Sequence, residues 1–363
     1  RRAERAERVN QIDLKGRAVY PGFIDAHVHL ESFGERLSRL DLTGVREFDE
    51  VIRRVQERSR PGGWVAAMNW DPEDFPPHDR LTKATPETAV WIARKDLHSG
   101  LANARAMMIA RASSPTGWFY EQETSRIERH VPKPPGGEAL LAAQKIAMQH
   151  GITSAHDASV DLDYLATLRE EHAGRRLRLR VHAMVYRPTP DALIEFMRTN
   201  PPVMGERLSI RAIKVFMDGS LGSRTAWMLE PFCGQPPSSG MALTSPGDLE
   251  RIARVALETG YQVCTHAIGD RANREVLNVY DRVNPPAEAR WRIEHAQHIH
   301  PEDGARFDRY IASIQPSHCV ADRALLEPRL GASRFDGAYS WRRFQNRVLG
   351  TDAPVESMDP RWT

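Results

Sequence analysis

Cysteine is scarce in this chain of 363 residues: Cys233, Cys264 and Cys319 are all there is. They are widely spaced, odd in number and form no Cys-x-x-Cys pair, which argues against a disulfide framework and against a thiolate zinc site. A reducing, cytoplasmic setting is the expectation that follows. Long apolar runs are missing as well. None reaches the ~18 residues of a membrane span, and no signal-peptide core precedes the first apolar strand. Neither sign of charge dominates, since 50 Lys and Arg face 48 Asp and Glu for a formal net charge of +2. A polyanion-binding surface is therefore not expected, and nucleic acid is set aside as a partner. Lysine is rare too: Lys15, Lys83, Lys95, Lys133, Lys145 and Lys214 stand against a background of arginine. A lysine inside an apolar strand thus stands out.

What is present is enough apolar residue, 41 %, for a sizeable core. Short apolar runs bounded by turn residues predict strands at Ala18–Ile24, Thr153–His156, Leu177–Val185, Ile210–Met217, Gln262–Ala267, Arg292–His295, Ile311–Gln315 and Arg347–Gly350. Helical patterns fill the gaps, at Glu138–Gln149, Asp191–Thr199, Pro246–Thr259, Arg271–Val283 and Pro301–Arg309. Strands alternating with helices indicate βαβ units, and eight in that rhythm point to a (β/α)₈ TIM-type barrel within residues 18–363.

One gap breaks the rhythm. Residues 33–137 are far too many for an ordinary βα loop and carry their own turn signals, such as Pro61-Gly62-Gly63 and Pro134-Pro135-Gly136-Gly137. Long insertions of this kind usually serve a site, so the segment is expected to be lid-like.

The chemistry-bearing residues fall at strand ends. His27 and His29 in Asp25-Ala26-His27-Val28-His29 project to one side of a strand and can converge on one cation. Later strands end in or contain Lys214, His266, His295 and, after the eighth, Asp352. In a barrel these ends rim a single mouth, where the active sites of this fold lie. Four histidines and a carboxylate are a borderline-hard N/O donor set suited to a divalent metal, zinc foremost. Lys214 has an alternative reading as the ion-pair partner of Asp218. His318, after strand seven, is a candidate to steady a substrate oxygen, or a structural histidine. His156 and Asp157 are candidates to support the ligands. His298 and His300 read as surface residues, and Asp270 as the cap of the helix after strand five.

With these residues in place the sequence resembles the amidohydrolase superfamily, and within it the branch that includes N-substituted formamide deformylases. The stretches that carry the likeness are PGFIDAHVHL (21–30), GITSAHDAS (151–159), IKVFMDGSLGSRTA (213–226), THAIGDRAN (265–273), RIEHAQ (292–297), QPSH (315–318) and GTDAPVESMDP (350–360). Asp96, His98, Asn103, Thr116-Gly117 and Glu121 in the insertion also resemble the branch. The resemblance implies one or two divalent metals, His27 and His29 holding the more buried one and His266 and His295 the second. It implies that Lys214 is carboxylated by carbon dioxide to a bridging carbamate, and that Asp352 binds metal and serves as general base. Relatives of this kind carry a small β-sandwich, of which residues 1–17 would be a remnant. The eighth helix and the downstream sandwich strands are expected to be missing, leaving apolar surface for a homodimer contact.

The leading expectation is therefore a metal-dependent hydrolase cleaving a C–N bond in a small amide, N-formyl or cyclic-amide substrate. Deamination or ester hydrolysis on the same centre is the enzyme alternative. A truncated, non-catalytic metal-binding or regulatory relative is the alternative from another class.

Overall fold

The computed structural model describes residues 13–362 except 71, 73, 95–98, 235 and 236. Eight parallel strands form one sheet in chain order: β1 (Phe23–Val28), β2 (Ile152–Val160), β3 (Arg180–Val185), β4 (Leu208–Phe216), β5 (Gln262–Ala267), β6 (Arg292–His295), β7 (Ile311–Ile314) and β8 (Arg347–Leu349). A two-residue strand, Val203–Met204, runs antiparallel to β4. Beyond the last residue of β8 the sheet closes on β1, where Asp352 N–H donates to His27 O (2.7 Å) and His29 N–H donates to Ala353 O (2.9 Å). Gly350 makes that approach possible, because a Cβ there would lie 2.4 Å from His27 N. The result is an α/β barrel of the (β/α)₈ type.

Helices between the strands start where the sequence supplies caps. Thr189 accepts from Ala192 N–H ahead of Pro190–Thr199, and Ser245 accepts from Asp248 N–H ahead of Pro246–Thr259. The latter helix ends at Gly260, whose φ of +81° suits a residue without a Cβ. One apolar core joins these helices to the outer faces of the strands.

Several boundaries move from their expected places. The first strand begins at Phe23, not Ala18, because ladder pairing with β2 starts at Phe23 N–H to Gly151 O. Pro21 has no N–H to offer, and Val19 and Tyr20 are exposed. Pro301–Arg309 is a 3₁₀ helix. His298, expected at the surface, is buried and packs edge-on against Tyr339. Asp270 does not cap its own helix. Gly269 holds that position; the helix does begin at Asp270, whose Oδ1 accepts from Leu229 N–H and Arg271 N–H.

Residues 33–137 contain a second sheet, in the order Leu40–Asp41, Trp64–Trp70, Ala89–Arg94, Ser99–Ala102 and Trp118–Tyr120. It has apolar clusters of its own on each side, one built on Val51, Val55 and Trp70 and another on Trp91, Met107 and Phe119. Asp96 and His98, singled out in the sequence, lie outside the described residues, as does the side chain of Glu121. So does most of the 1–17 segment; residues 13–17 form no strand. No helix among the described residues is long and apolar enough to cross a membrane.

Asn103 proves to be a clamp within this second sheet. It is fully buried. Its Oδ1 accepts from Ala106 N–H (2.9 Å) and Val90 N–H (3.0 Å), and its amide donates to Thr88 O (2.8 Å). Asn103→Ala should strand these buried groups at a cost of about 2–3 kcal/mol. Hydrogen exchange should accelerate at Val90 and Ala106 and stay unchanged in the barrel strands. Uniform loss of protection in both sheets would contradict an insertion with a separate core.

Candidate metal centre

The structure brings His27, His29, Lys214, His266, His295, His318 and Asp352 together at the C-terminal end of the barrel. His27 is completely buried, and its ring centroid lies 5.4 Å from that of His29 and 4.8 Å from that of His295. His295 in turn lies 4.6 Å from His266 and stacks on His318 at 5.9 Å. The backbone at the rim is unusual for residues with side chains. His295, Ala296 and Asp352 have φ of +71°, +45° and +58°, a left-handed conformation that costs on the order of 1–3 kcal/mol per residue. Surrounding contacts hold it there, and it turns His295 and Asp352 toward the mouth's centre.

Four of the five histidines have one ring nitrogen committed to the protein. His27 Nδ1 donates to Glu294 Oε2 (2.6 Å), His29 Nδ1 to Ala158 O (2.9 Å) and His295 Nδ1 to Gln315 Oε1 (2.8 Å). His266 uses Nε2, which donates to Gly219 O (3.0 Å). In the neutral rings the other nitrogen is then a bare lone pair. His29 Nε2 sits 3.1 Å from Asp352 Oδ1 and His27 Nε2 3.6 Å from the same oxygen. His27 Nε2, His318 Nε2 and Asp352 Oδ1 are buried with no hydrogen-bond partner among the described residues.

The charge states sharpen this picture. Burial, assisted by Lys214, pushes His27 down to about 4 and His266 to about 3, and burial with the neighbouring rings takes His295 well below its ordinary value. Burial favours a raised Asp352, yet the close approach of His29 and positive charge on His27, His29 and His318 bring its carboxyl below the usual range. Those statements conflict for His27, which cannot be neutral and also supply charge to Asp352. Its complete burial decides for the neutral ring. Lone pairs of two imidazoles and an anionic oxygen therefore converge without a proton between them, an arrangement that a cation satisfies. Ligand atoms of His27, His295 and Asp352 all lie within 4.8 Å of one another. The residues fit a divalent metal.

Lys214 is 1 % exposed, and its Nζ lies 4.7 Å from the centroid of Phe216. Burial pushes its amine down despite the negative charges of Glu294 and Asp352. The expected alternative partner is otherwise engaged, since Asp218 accepts from Trp227, Ile268 and Gly269 N–H groups. No carboxylate is within ion-pair distance of Lys214 among the described residues.

Sequence reasoning passed over the residues beneath the mouth. Glu294, between Ile293 and His295, orients His27. Arg292 in turn holds Glu294 through Nε (2.7 Å) and Nη2 (2.9 Å), and the Coulomb attraction overcomes burial to keep that carboxyl well below its ordinary value. Alternation along β6 puts 292 and 294 on the same face, so the pattern was visible once the strand was assigned. His156 serves the same layer by accepting from Arg292 Nη1 (2.6 Å), and Asp157 accepts from Leu30 N–H.

Outer partners of this type alter metal affinity by roughly 10–100-fold. Glu294→Gln should fold and should bind divalent metal more weakly by that factor in chelator competition. Unchanged affinity would mean that the His27 tautomer is set by something other than Glu294.

Comparison with known proteins places this geometry. The sequence profile of the amidohydrolase family matches residues 10–363. The protein LONG AFTER FAR-RED 3 of Arabidopsis thaliana is 28 % identical over 96 % of this chain and 68 % of its own length. The N-substituted formamide deformylase of Arthrobacter pascens is 23 % identical over 78 % of this chain and 60 % of its own. The crystal structure of an uncharacterized metal-dependent hydrolase from Pyrococcus furiosus superposes with a TM-score of 0.81 at 26 % identity, covering 94 % of this chain and 75 % of that one. With profile, relatives and barrel in agreement, the chain belongs to the amidohydrolase family.

Proposed function

We propose that the chain hydrolyses the C–N bond of a small amide, N-formyl or cyclic-amide substrate, using a metal held by His27, His29, His266, His295 and Asp352. The observation that carries this reading is the convergence of buried, partnerless His27 Nε2 and Asp352 Oδ1. The nitrogen-rich donor set favours zinc. When bound, a divalent cation supplies Lewis-acid polarisation of a carbonyl and acidifies water toward a pKa of ~7.

The protein's own groups do the rest. Asp352, ionised at neutral pH, accepts a proton from the attacking water as its oxygen bonds to the carbonyl carbon. It returns that proton to the nitrogen as the C–N bond breaks, so the amine leaves neutral. His318 Nε2, 3.4 Å from Asp352 Oδ2, is placed to donate to the carbonyl oxygen as negative charge grows there. Lys214, whose burial favours the uncharged amine, adds in that form through Nζ to the carbon of carbon dioxide and releases one proton, becoming a carbamate that would offset cation charge. Residues 33–137 are read as a covering element. Arg36 at its start donates to Pro354 O (2.8 Å) and Asn69 Oδ1 (3.2 Å), tying the second sheet to the loop that carries Asp352. Three unpaired cysteines fit a reducing compartment such as the cytoplasm.

Asp352→Asn should lower turnover of an amide substrate on the order of 10²–10⁴-fold while leaving the far-ultraviolet circular dichroism unchanged. Full activity in that variant would reassign the base, and activity on esters with none on amides would redirect the reading to an esterase.

Lys214→Ala should lose metal and activity together, and added formate or acetate should restore part of both. Bicarbonate-independent reconstitution of the wild-type chain, with no carboxylate rescue of the variant, would remove the carbamate.

A further inference from the structure

The mouth encloses about 360 Å³. Beyond the metal-facing residues its wall has an apolar part, Phe216, Leu221, Ile268 and Val355, and a charged part, Asp322 and Glu356. That charged part is wholly acidic. Glu356 is half-buried and, among the described residues, has neither a hydrogen-bond nor an ion-pair partner. Burial pushes its carboxyl up, with Asp322 and Asp352 adding to the rise and His318 opposing it. Asp322 is fixed in place, because its Oδ2 accepts from Gln297 Nε2 (3.0 Å) and Tyr339 OH (2.6 Å). Its Oδ1 accepts no hydrogen bond. His318, over nine-tenths buried with Nε2 unpartnered, lines the same space.

Among the described residues, Lys214 is the only lysine that lines this cavity and no arginine does. On the reading given above, Lys214 and Asp352 belong to the metal, so among the described lining residues no lysine or arginine is left to pair with Asp322 and Glu356. Two carboxylates in a half-enclosed space favour an incoming cation and disfavour an anion. We propose that Asp322 and Glu356 form a cation-binding wall, and that the amide hydrolysed here carries a protonated amine a short apolar segment away from the scissile bond. The apolar segment would pack on Phe216, Leu221, Ile268 and Val355. The inference rests on the hydrolytic reading but concerns a different part of the mouth. A rival is visible nearby: Arg187 lines an adjoining cavity of about 350 Å³ that meets the mouth at Lys214 and Phe216. It would suit a substrate carboxylate.

The test uses the metal-loaded chain and three amides of matched length, N-acetylputrescine, N-butylacetamide and N-acetyl-γ-aminobutyrate. The kcat/KM for the ammonium compound should exceed that of the neutral one by roughly tenfold or more, as expected for a hydrogen bond to a charged group, with the carboxylate compound slowest. Glu356→Gln and Asp322→Asn should each shrink the ratio of ammonium to neutral substrate, and Glu356→Lys should reverse the order of ammonium and carboxylate. A preference for the carboxylate, or a ratio unmoved by all three variants, would overturn the proposal. If none of the amides is cleaved, binding decides this one. Calorimetry should then show n-butylammonium binding more tightly than butyrate, with the difference lost in Glu356→Gln. Equal binding, or tighter binding of butyrate, would overturn the wall independently of catalysis.

Discussion

A buried charge pair under the mouth, Arg292 with Glu294, is the constraint on which the site rests. Both residues are at most 2 % exposed, and taking two such charges out of water costs several kcal/mol apiece unless each is fully paired. Here they are. Arg292 spends its donors on both oxygens of Glu294, on Ala26 O of β1 (2.6 Å), on His156 of β2 (2.6 Å) and on Ser313 of β7 (2.8 Å). One guanidinium on β6 thus ties three other strands at the level just below the metal-facing residues. Glu294, kept ionised by that contact, takes the Nδ1 proton of His27 as its second partner. The tautomer of the most buried histidine is a consequence of the ion pair, and the free Nε2 is a consequence of the tautomer.

The seam between β1 and β8 supports the other half of the centre. Asp25 Oδ1 accepts from Thr351 N–H (3.0 Å) and Oδ2 from the Thr351 hydroxyl (2.6 Å), all buried. Burial raises the Asp25 carboxyl to about 6, although these hydrogen bonds oppose the rise. Together with the close passage of Gly350 past His27, they hold Thr351 while Asp352 takes up its positive φ. Strain at Asp352 is thereby offset by contacts made one residue earlier and two strands' ends away in sequence. Arg292 fixes the imidazole side of the site and Asp25 the carboxylate side, and the two sides meet at Asp352 Oδ1.

Much of this was legible in the sequence because the barrel repeats one rule: ligand-type residues at the C-terminal ends of strands. His266, His295 and Asp352 follow apolar runs that are strands in the structure, and Gln262–Ala267 and Arg292–His295 keep their expected bounds. The first strand shifted because apolar character at Val19 and Tyr20 says nothing about pairing, which begins only where β2 offers Gly151 O. His298 was misplaced for a related reason. A histidine past a strand end reads as exposed, and only the return of the chain at Tyr339 covers it. Glu294 was overlooked because its role depends on meeting His27 across the barrel interior, a distance of 267 residues in sequence. The second sheet within residues 33–137 was hidden by its mixed strand directions and short elements, several of only two to four residues.

The central claim is that the converging nitrogens and carboxylate exist to hold a cation. Elemental analysis of well-folded chain, purified without chelator, tests it most directly when paired with a His27→Ala, His29→Ala double variant. The account predicts at least one transition-metal ion per wild-type chain and loss of that metal in the variant. A folded wild-type chain free of metal, or a double variant that retains full occupancy, would contradict it.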